Sequence, residues 1–472
     1  MIKNRETTYR IELVFKISYF ILTIISFNIF CARQFYVTLL SYVVVCIGLL
    51  VGVFRIKRLN NYVNQKVWLL VAFVLSYILG AINTFRYGYI ENVQALVWMC
   101  IQYFLVFSFD VNQDERLVLK EFNAISILFI AYTFIVAVAG IIMVIANWGH
   151  YKEMDGLIFA VGFIWNRLWG CYVDPNYGAI FSLISIVLSI YFFKKSSNKI
   201  IKVALIINII FEYLYICYSD SRTGRLAVII VITVFLYCTF VKQFEYNNKN
   251  LKVMMAMFVA MVIALLLWGS IYLVRNITSE LQVEDSYNAA IESGFSSEEA
   301  KYFADLSRIG RHQEEINEGD VSNNRFDIWF SAFDIFKANP IFGVSFRNIM
   351  DFAIDKQPDG FIAVSGFDSM HNAFVDILVS QGIIGIILVA ALVYCVLSDI
   401  FKKINCLDKE HYSLVVALFS SVVAIVVSMM FYSESFYMNT GGAFLFWYFL
   451  GLIVNYILPR EAKYDEAKSS LL

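Results

Sequence analysis

The chain has 472 residues, 60% of them hydrophobic and only 16% charged, with 43 Phe and 29 Tyr against 4 Pro. Soluble domains carry about 45–50% apolar and about 25% charged residues, so this composition points to the bilayer and away from a water-soluble enzyme. A formal net charge of −1 gives no electrostatic case for binding nucleic acid.

A hydrocarbon core of about 30 Å needs roughly 20 apolar residues per helix. In chain order that criterion predicts twelve spans, at 11–30, 35–54, 67–85, 90–109, 122–146, 176–193, 201–219, 224–241, 252–274, 372–397, 411–431 and 441–458. No small-residue cleavage site follows the first run, which predicts an uncleaved helix with Lys16 snorkelling inward. The fold class expected is all-α, a polytopic membrane protein of about twelve helices with one large extracytoplasmic loop.

Basic residues concentrate in 55–66, 194–202, 242–252 and 402–409, four connections that alternate along the chain. The N-terminal tail (Lys3, Arg5, Arg10) and the C-terminal tail (Arg460, Lys463, Lys468) fall on that same side. The positive-inside rule assigns it to the cytoplasm, so both termini are expected there. Two outer segments are long. Residues 147–175 read as a Trp- and Gly-containing loop, and 275–371 is long enough to fold by itself. The division expected is 1–274 with nine helices, 275–371 as the outer loop domain, and 372–472 with three helices and a cytoplasmic tail. Within the loop, 279–320 is acidic, and Asn324–Ala338 forms a mixed helical face from Phe326, Ile328, Trp329, Phe333 and Phe336, stopped by Pro340 and Gly343. The eight cysteines show no zinc spacing; Cys31 and Cys171 are the two that topology allows to pair outside.

Three helices entering from outside begin unusually. The sixth opens with Asp174-Pro175-Asn176, a capping residue followed by Pro at the first helical position. The eighth opens with Ser219-Asp220-Ser221-Arg222-Thr223-Gly224-Arg225, and the tenth with His371-Asn372 followed by Asp376. Helix N-termini carry partial positive charge, so Arg222 and Arg225 beside Ser and Thr hydroxyls suit an oxyanion or phosphate. The same arginines would also serve to anchor a helix end at the headgroups, and the residues alone leave both readings open. His371 is the histidine at an outer helix mouth; His150 and His312 lie in polar loop context, and His411 falls on the cytoplasmic side. No Asp-x-Asp pair marks the outer surface, so no metal is expected, and Glu434 between Ser433 and Ser435 is expected to be solvated. Trp148, Trp165 and Trp169 fit sugar stacking and an interfacial aromatic belt alike. Glu212, inside the seventh span, is the one residue that favours a transporter or a flippase of lipid-linked oligosaccharide. No inverted repeat and no Pro-broken pair of spans joins it.

The segment Ser221-Arg222-Thr223-Gly224 resembles the Ser-Arg motif of the bacterial O-antigen polymerase (Wzy) and O-antigen ligase superfamily. Asn324-Arg325-Phe326-Asp327-Ile328-Trp329, continuing to Asn339-Pro340-Ile341-Phe342-Gly343-Val344, is similar to the signature of that family. So is His371-Asn372-Ala373-Phe374 leading to Gln381-Gly382-Ile383-Ile384-Gly385, apart from Gln381, where an acid is often seen. The turn Asp174-Pro175-Asn176 also recurs in such proteins. Together these motifs cover roughly 165–390.

The resemblance implies a GT-C-like glycosyltransferase in the bacterial inner membrane, acting at the outer face without metal or cofactor. Its donor would be an undecaprenyl-pyrophosphate-linked oligosaccharide, and its acceptor a lipid-linked repeat unit of O-antigen or capsule. Arg222 would bind the donor pyrophosphate with Arg225 as a second contact, Arg325 would close over the phosphate, and His371 would orient or deprotonate the acceptor hydroxyl. Asp174, Asn176 and Asn372 are further candidates for substrate contact, and a chain-length regulator is left open as a partner. An O-antigen ligase would use the same donor chemistry with a different acceptor.

Overall fold

A computed structural model describes residues 2–154, 157–244, 248–309, 324–367 and 369–460. His312, the end of the acidic stretch, and Lys463 and Lys468 lie outside the described residues.

Each expected span falls on a helix. These are α1 (Ile2–Ser26), α2 (Phe35–Ile56), α3 (Gln65–Asn83), α4 (Ile90–Cys100, continued by a π turn Ile101–Val106), α5 (Glu115–Ile145), α6 (Pro175–Lys195), α7 (Lys199–Ser219), α8 (Arg222–Gln243) and α9 (Lys249–Glu292). After α10 (Ser297–Leu306) come α11 (Arg325–Ala338), α12 (Ile349–Lys356), α13 (Phe361–Ser365), α14 (Ala373–Lys403), α15 (Lys409–Met429) and α16 (Gly441–Gly451, continued by a π turn Leu452–Ile457). Among the described residues, ten helices are long and apolar enough to cross a membrane, so the chain is a multi-pass membrane protein. The segment Ile90–Val106 is shorter, and α1 carries Arg10, Glu12 and Lys16. Exposed apolar stripes such as Phe35, Leu39, Tyr42, Leu49 and Val53 on α2 suit lipid and would be costly in water. At 1.5 Å per residue, the 44-residue α9 is about 66 Å long, roughly twice the hydrocarbon thickness.

The chain forms two compact units. Unit one comprises 1–27, 31–125 and 322–472. Its central helix is α16, every residue of which is buried, with Trp447 set among Tyr103, Phe107 and Phe436 at ring-centroid distances of 4.7, 5.5 and 5.6 Å. Lys16 does not snorkel. Its ammonium is buried 2.7 Å from Glu121 and 4.0 Å from the centre of the Phe109 ring, because a carboxylate on α5 supplies the counter-charge inside the bundle.

The tenth span is broken. Gly382 in α14 has φ 62° and ψ −155°, a conformation essentially confined to glycine. The segment after α11 occupies the break: Val344 N and Ser345 N donate to Val379 O and Ser380 O at 3.0 and 2.9 Å, and Ile383 N donates to Pro340 O at 2.9 Å. Irregular backbone at membrane depth is tolerated where protein satisfies it in this way. Gln381, at the family's acidic position, is buried; it accepts from Ser76 and donates to Tyr437 OH at 2.7 Å.

Unit two comprises 28–30 and 126–321. In it α6 packs on α7, and α8 on α9. Residues 147–175 are not a loop. They form a three-stranded antiparallel sheet in the order β1 (Gly149–Met154), β2 (Leu157–Ile164), β3 (Arg167–Gly170), with a register shift at Gly162/Phe163. The pairing gives the polar backbone of this segment its hydrogen bonds, which an extended loop would leave to solvent. Cys31 and Cys171 form no disulfide.

Candidate functional site

In unit two the chain is tied at one end of four helices. Asp174 caps α6, accepting from Asn176 N at 2.7 Å, and Pro175 occupies the first helical position. Ser221 caps α8, its Oγ accepting from Gly224 N at 2.8 Å and donating to Asn176 Oδ1 at 2.7 Å. That bond holds the start of α8 against the start of α6. The fit is close: a Cβ on Gly224 would lie 2.7 Å from Ala179 Cβ.

Between α7 and α8 stands Asp220, left-handed at φ 46° and buried. Its Oδ1 accepts from Arg225 Nη1 at 2.8 Å and from Arg275 Nη1 on α9. Both guanidiniums also lie over the Tyr272 ring, 4.8 and 5.2 Å from its centre. Arg167, delivered by β3, donates from Nε to Ser219 O at 3.1 Å and is buried. Arg222 is the first residue of α8 and is exposed. Arg225 and Arg275 thus share Asp220, Arg167 is bound to the neighbouring Ser219 carbonyl, and Arg222 opens α8 beside them, at a helix N-terminus. Among the described residues, the buried donors Arg275 Nε and Trp169 Nε1 have no acceptor. Such an arrangement can hold a multiply charged oxyanion.

The sequence reading missed Arg167 and Arg275. Arg275 directly follows the apolar part of the ninth span and had been assigned to the loop, where α9 in fact runs on without interruption. Arg167 follows from the sheet, which hydropathy does not reveal. Arg225 shares the Asp220 carboxylate with Arg275.

Unit one holds the second cluster. Asn372, not His371, caps α14: its Oδ1 accepts from Phe374 N and Val375 N at 3.0 and 3.2 Å, and its Nδ2 donates to Met430 O at 3.1 Å. Trp329 Nε1 donates to Met370 O at 2.9 Å, and Met370 N donates to Asp376 Oδ1 at 2.9 Å. Pinned on both sides, His371 takes φ 49°, a left-handed conformation costing about 1–2 kcal/mol for a residue with a Cβ. Its ring stands edge-on to Phe367 and Tyr432, with centroids 5.5 and 6.5 Å away. Arg325, first in α11, lies over the adjacent Phe431 at 5.4 Å. The turn after α15 thus receives both Arg325 and His371. Glu434 in that turn is buried, not solvated, and accepts from Thr440 Oγ1 at 3.3 Å.

Among the described residues no three His, Cys, Asp or Glu side chains converge as metal ligands. Asp355 is bound by Tyr87 OH at 2.6 Å and Arg86 Nη2 at 2.7 Å, and the Tyr87 hydroxyl leads in holding its carboxyl below the ordinary value.

A protein of Haemophilus influenzae described as uncharacterized is 27% identical to this chain over 289 residues, 59% of this chain and 63% of that protein. The chain therefore spans less than two thirds of that relative's length. Residues 203–390 match the family model described as O-antigen ligase. The match runs from α7 into α14 and takes in Asp220, Arg222, Arg225, Arg275, Arg325, His371 and Asn372, leaving out Arg167, Asp174 and Asn176. Over residues 203–390 the chain is similar to the family described as O-antigen ligase.

Proposed function

We propose that the chain is a polysaccharide polymerase that transfers a glycan from an undecaprenyl-pyrophosphate carrier onto a lipid-linked repeat unit, at the outer face of the bacterial inner membrane. The observation that carries this reading is the arginine cluster around Asp220, with buried N–H donors that find no acceptor among the described residues. A pyrophosphate leaving group carries several negative charges and needs fixed donors; arginine offers a permanent charge and a bidentate fork. In this reading Arg222, exposed at the helix start, makes first contact with the pyrophosphate. Arg167 and Arg275 lie behind it, and Asp220 keeps Arg225 and Arg275 in position.

Acceptor activation falls to His371. Capping is done by Asn372, so a merely terminal role does not account for the strained histidine at 371. Its imidazole can take the acceptor proton near neutral pH.

The description of the matching family favours a second reading, an O-antigen ligase that moves the finished chain onto lipid A core. The phenotype of a deletion strain separates the two. A polymerase null leaves single capped repeats on the core, whereas a ligase null leaves none. A strain with wild-type glycan length and wild-type capping would sink both.

A further inference from the structure

The strands β2 and β3 are joined by two residues, Trp165 and Asn166, with Ile164 paired to Arg167 across the turn. Both turn residues take positive φ, 52° and 53°. A two-residue hairpin asks for that geometry at both positions, and Asn-Gly or Asp-Gly meets it at the least cost. Asn166 suits its place. Trp165 does not: a bulky side chain there is strained, and 53% of the residue stays exposed, so packing offsets little of the cost. Strain of this kind persists where the surroundings impose it, and it gathers at ligand clamps. Here Asn166 helps to impose it, since its Nδ2 donates to Leu306 O at the end of α10 at 2.7 Å.

The Trp165 ring belongs to a row. Its centroid lies 5.7 Å from that of Tyr151 on β1 and 5.7 Å from that of Trp169 on β3, and the Trp169 ring centre lies 5.6 Å from the Arg167 guanidinium. The end of α7 pins β3: Arg167 Nε donates to Ser219 O, and the Tyr215 hydroxyl donates to Trp169 O at 2.9 Å. One strand therefore carries both the arginine beside Asp220 and the rings that lead away from it. The turn is anchored beyond the arginines. Ser307, next to Leu306, donates to Gln282 O at 3.4 Å, and Gln282 stands on α9 about 10 Å past Arg275 at 1.5 Å per residue, on the side away from the apolar run. A ring serving only the aromatic belt would sit at the headgroups, not beyond them. Trp169 Nε1 is, among the described residues, a buried donor without an acceptor, which a ligand hydroxyl would supply. Pyranose rings offer both features, C–H faces that pack on the electron-rich faces of aromatic rings and hydroxyls that accept from an indole N–H. We propose that Trp165, Tyr151 and Trp169 form a stacking platform for the glycan of the lipid-linked donor, engaging the sugars next to the pyrophosphate. This rests on the pyrophosphate reading above. The sheet lies outside residues 203–390, so the family likeness assigns it no role.

Two probes are compared on full-length protein in nanodiscs by microscale thermophoresis: undecaprenyl pyrophosphate, and the undecaprenyl-pyrophosphate-linked repeat unit isolated from the native host. The wild type should bind the glycan-bearing probe roughly tenfold more tightly. Trp165→Asn should erase most of that preference while leaving the affinity for undecaprenyl pyrophosphate as it was. Because asparagine accepts the left-handed turn, the same variant should unfold at the wild-type temperature or above it, which separates loss of the ring from loss of the fold. Trp165→Tyr should restore most of the preference. A wild type that binds both probes equally would overturn the platform and leave the pyrophosphate reading standing, as would a Trp165→Asn that keeps the full preference. Equal weakening of both probes in Trp165→Asn would assign the ring to the lipid or the bilayer and would also overturn the platform. A wild type that binds neither probe would overturn the pyrophosphate reading and the platform with it.

Discussion

Gly382→Ala tests whether the broken α14 is built as described. At φ 62° and ψ −155°, an alanine would occupy a backbone region costing about 1–3 kcal/mol. Its Cβ would also lie 2.4 Å from Ile341 O and 2.5 Å from Pro340 O, so backbone would have to move. Those carbonyls belong to the segment that hydrogen-bonds across the break, and relief means losing the Ile383 N to Pro340 O bond at 2.9 Å. A lost buried bond adds about 1–3 kcal/mol, for a total of about 2–6 kcal/mol. The thermal midpoint of purified protein, followed by size-exclusion chromatography after heating, should fall by roughly 2 °C or more. Gly269→Ala is the control: a Cβ there meets nothing within 4 Å, and helix propensity alone predicts a slight gain of about 0.5–1 kcal/mol. Equal midpoints for Gly382→Ala and wild type would refute the break and the seating of 340–345 in it.

Arg222→Ala should abolish polymer formation with normal expression, and Arg222→Lys should not restore it, because a point charge replaces a planar fork; a normal glycan ladder from the alanine variant would move the pyrophosphate site elsewhere. His371→Ala should lower turnover by roughly 10²–10⁴-fold with donor affinity intact, as expected for a lost general base. His371→Asn separates base from spacer, since asparagine tolerates the left-handed backbone but cannot accept the proton in the same way; an active His371→Asn would leave the acceptor base unidentified. In a cysteine-free variant, an impermeant maleimide on intact cells should label Tyr302→Cys and not Ser196→Cys, and the reverse would invert the expected topology.

Hydropathy made the helices legible because each span is a run of about 20 apolar residues, and the cap Asp174-Pro175 is a local signal that the structure bears out. What stayed hidden depends on distant partners. Lys16 looked like a snorkelling residue because nothing near it in sequence reveals Glu121, 105 residues away. Glu434 looked solvated because its flanking serines are polar, yet the turn folds inward under Thr440. The sheet was lost because Leu157–Ile164 reads as a short apolar run in a window tuned to helices, although the Asp155-Gly156 pair just before it is a hairpin signal. The Asn-Pro-x-x-Gly and Gly-x-x-Gly motifs were visible as a resemblance; that one lies against the other's broken helix emerged only from the backbone contacts. Arg222 opens its helix and His371 precedes the cap of its own, positions the sequence pattern marks. Arg167 and Arg275 reach the same cluster as Arg225 from a strand and from the middle of a long helix, where no cap marks them.

The central claim is that fixed arginines of this chain carry the leaving pyrophosphate of a glycosyl transfer. Its most direct test is purified protein with an undecaprenyl-pyrophosphate-linked repeat unit and EDTA, with products resolved on a gel. The account predicts a ladder of lengthening glycans from the wild type, undiminished by EDTA, and none from Arg222→Ala. No ladder from an active, folded preparation, or a ladder lost in EDTA and restored by magnesium or manganese, would contradict it.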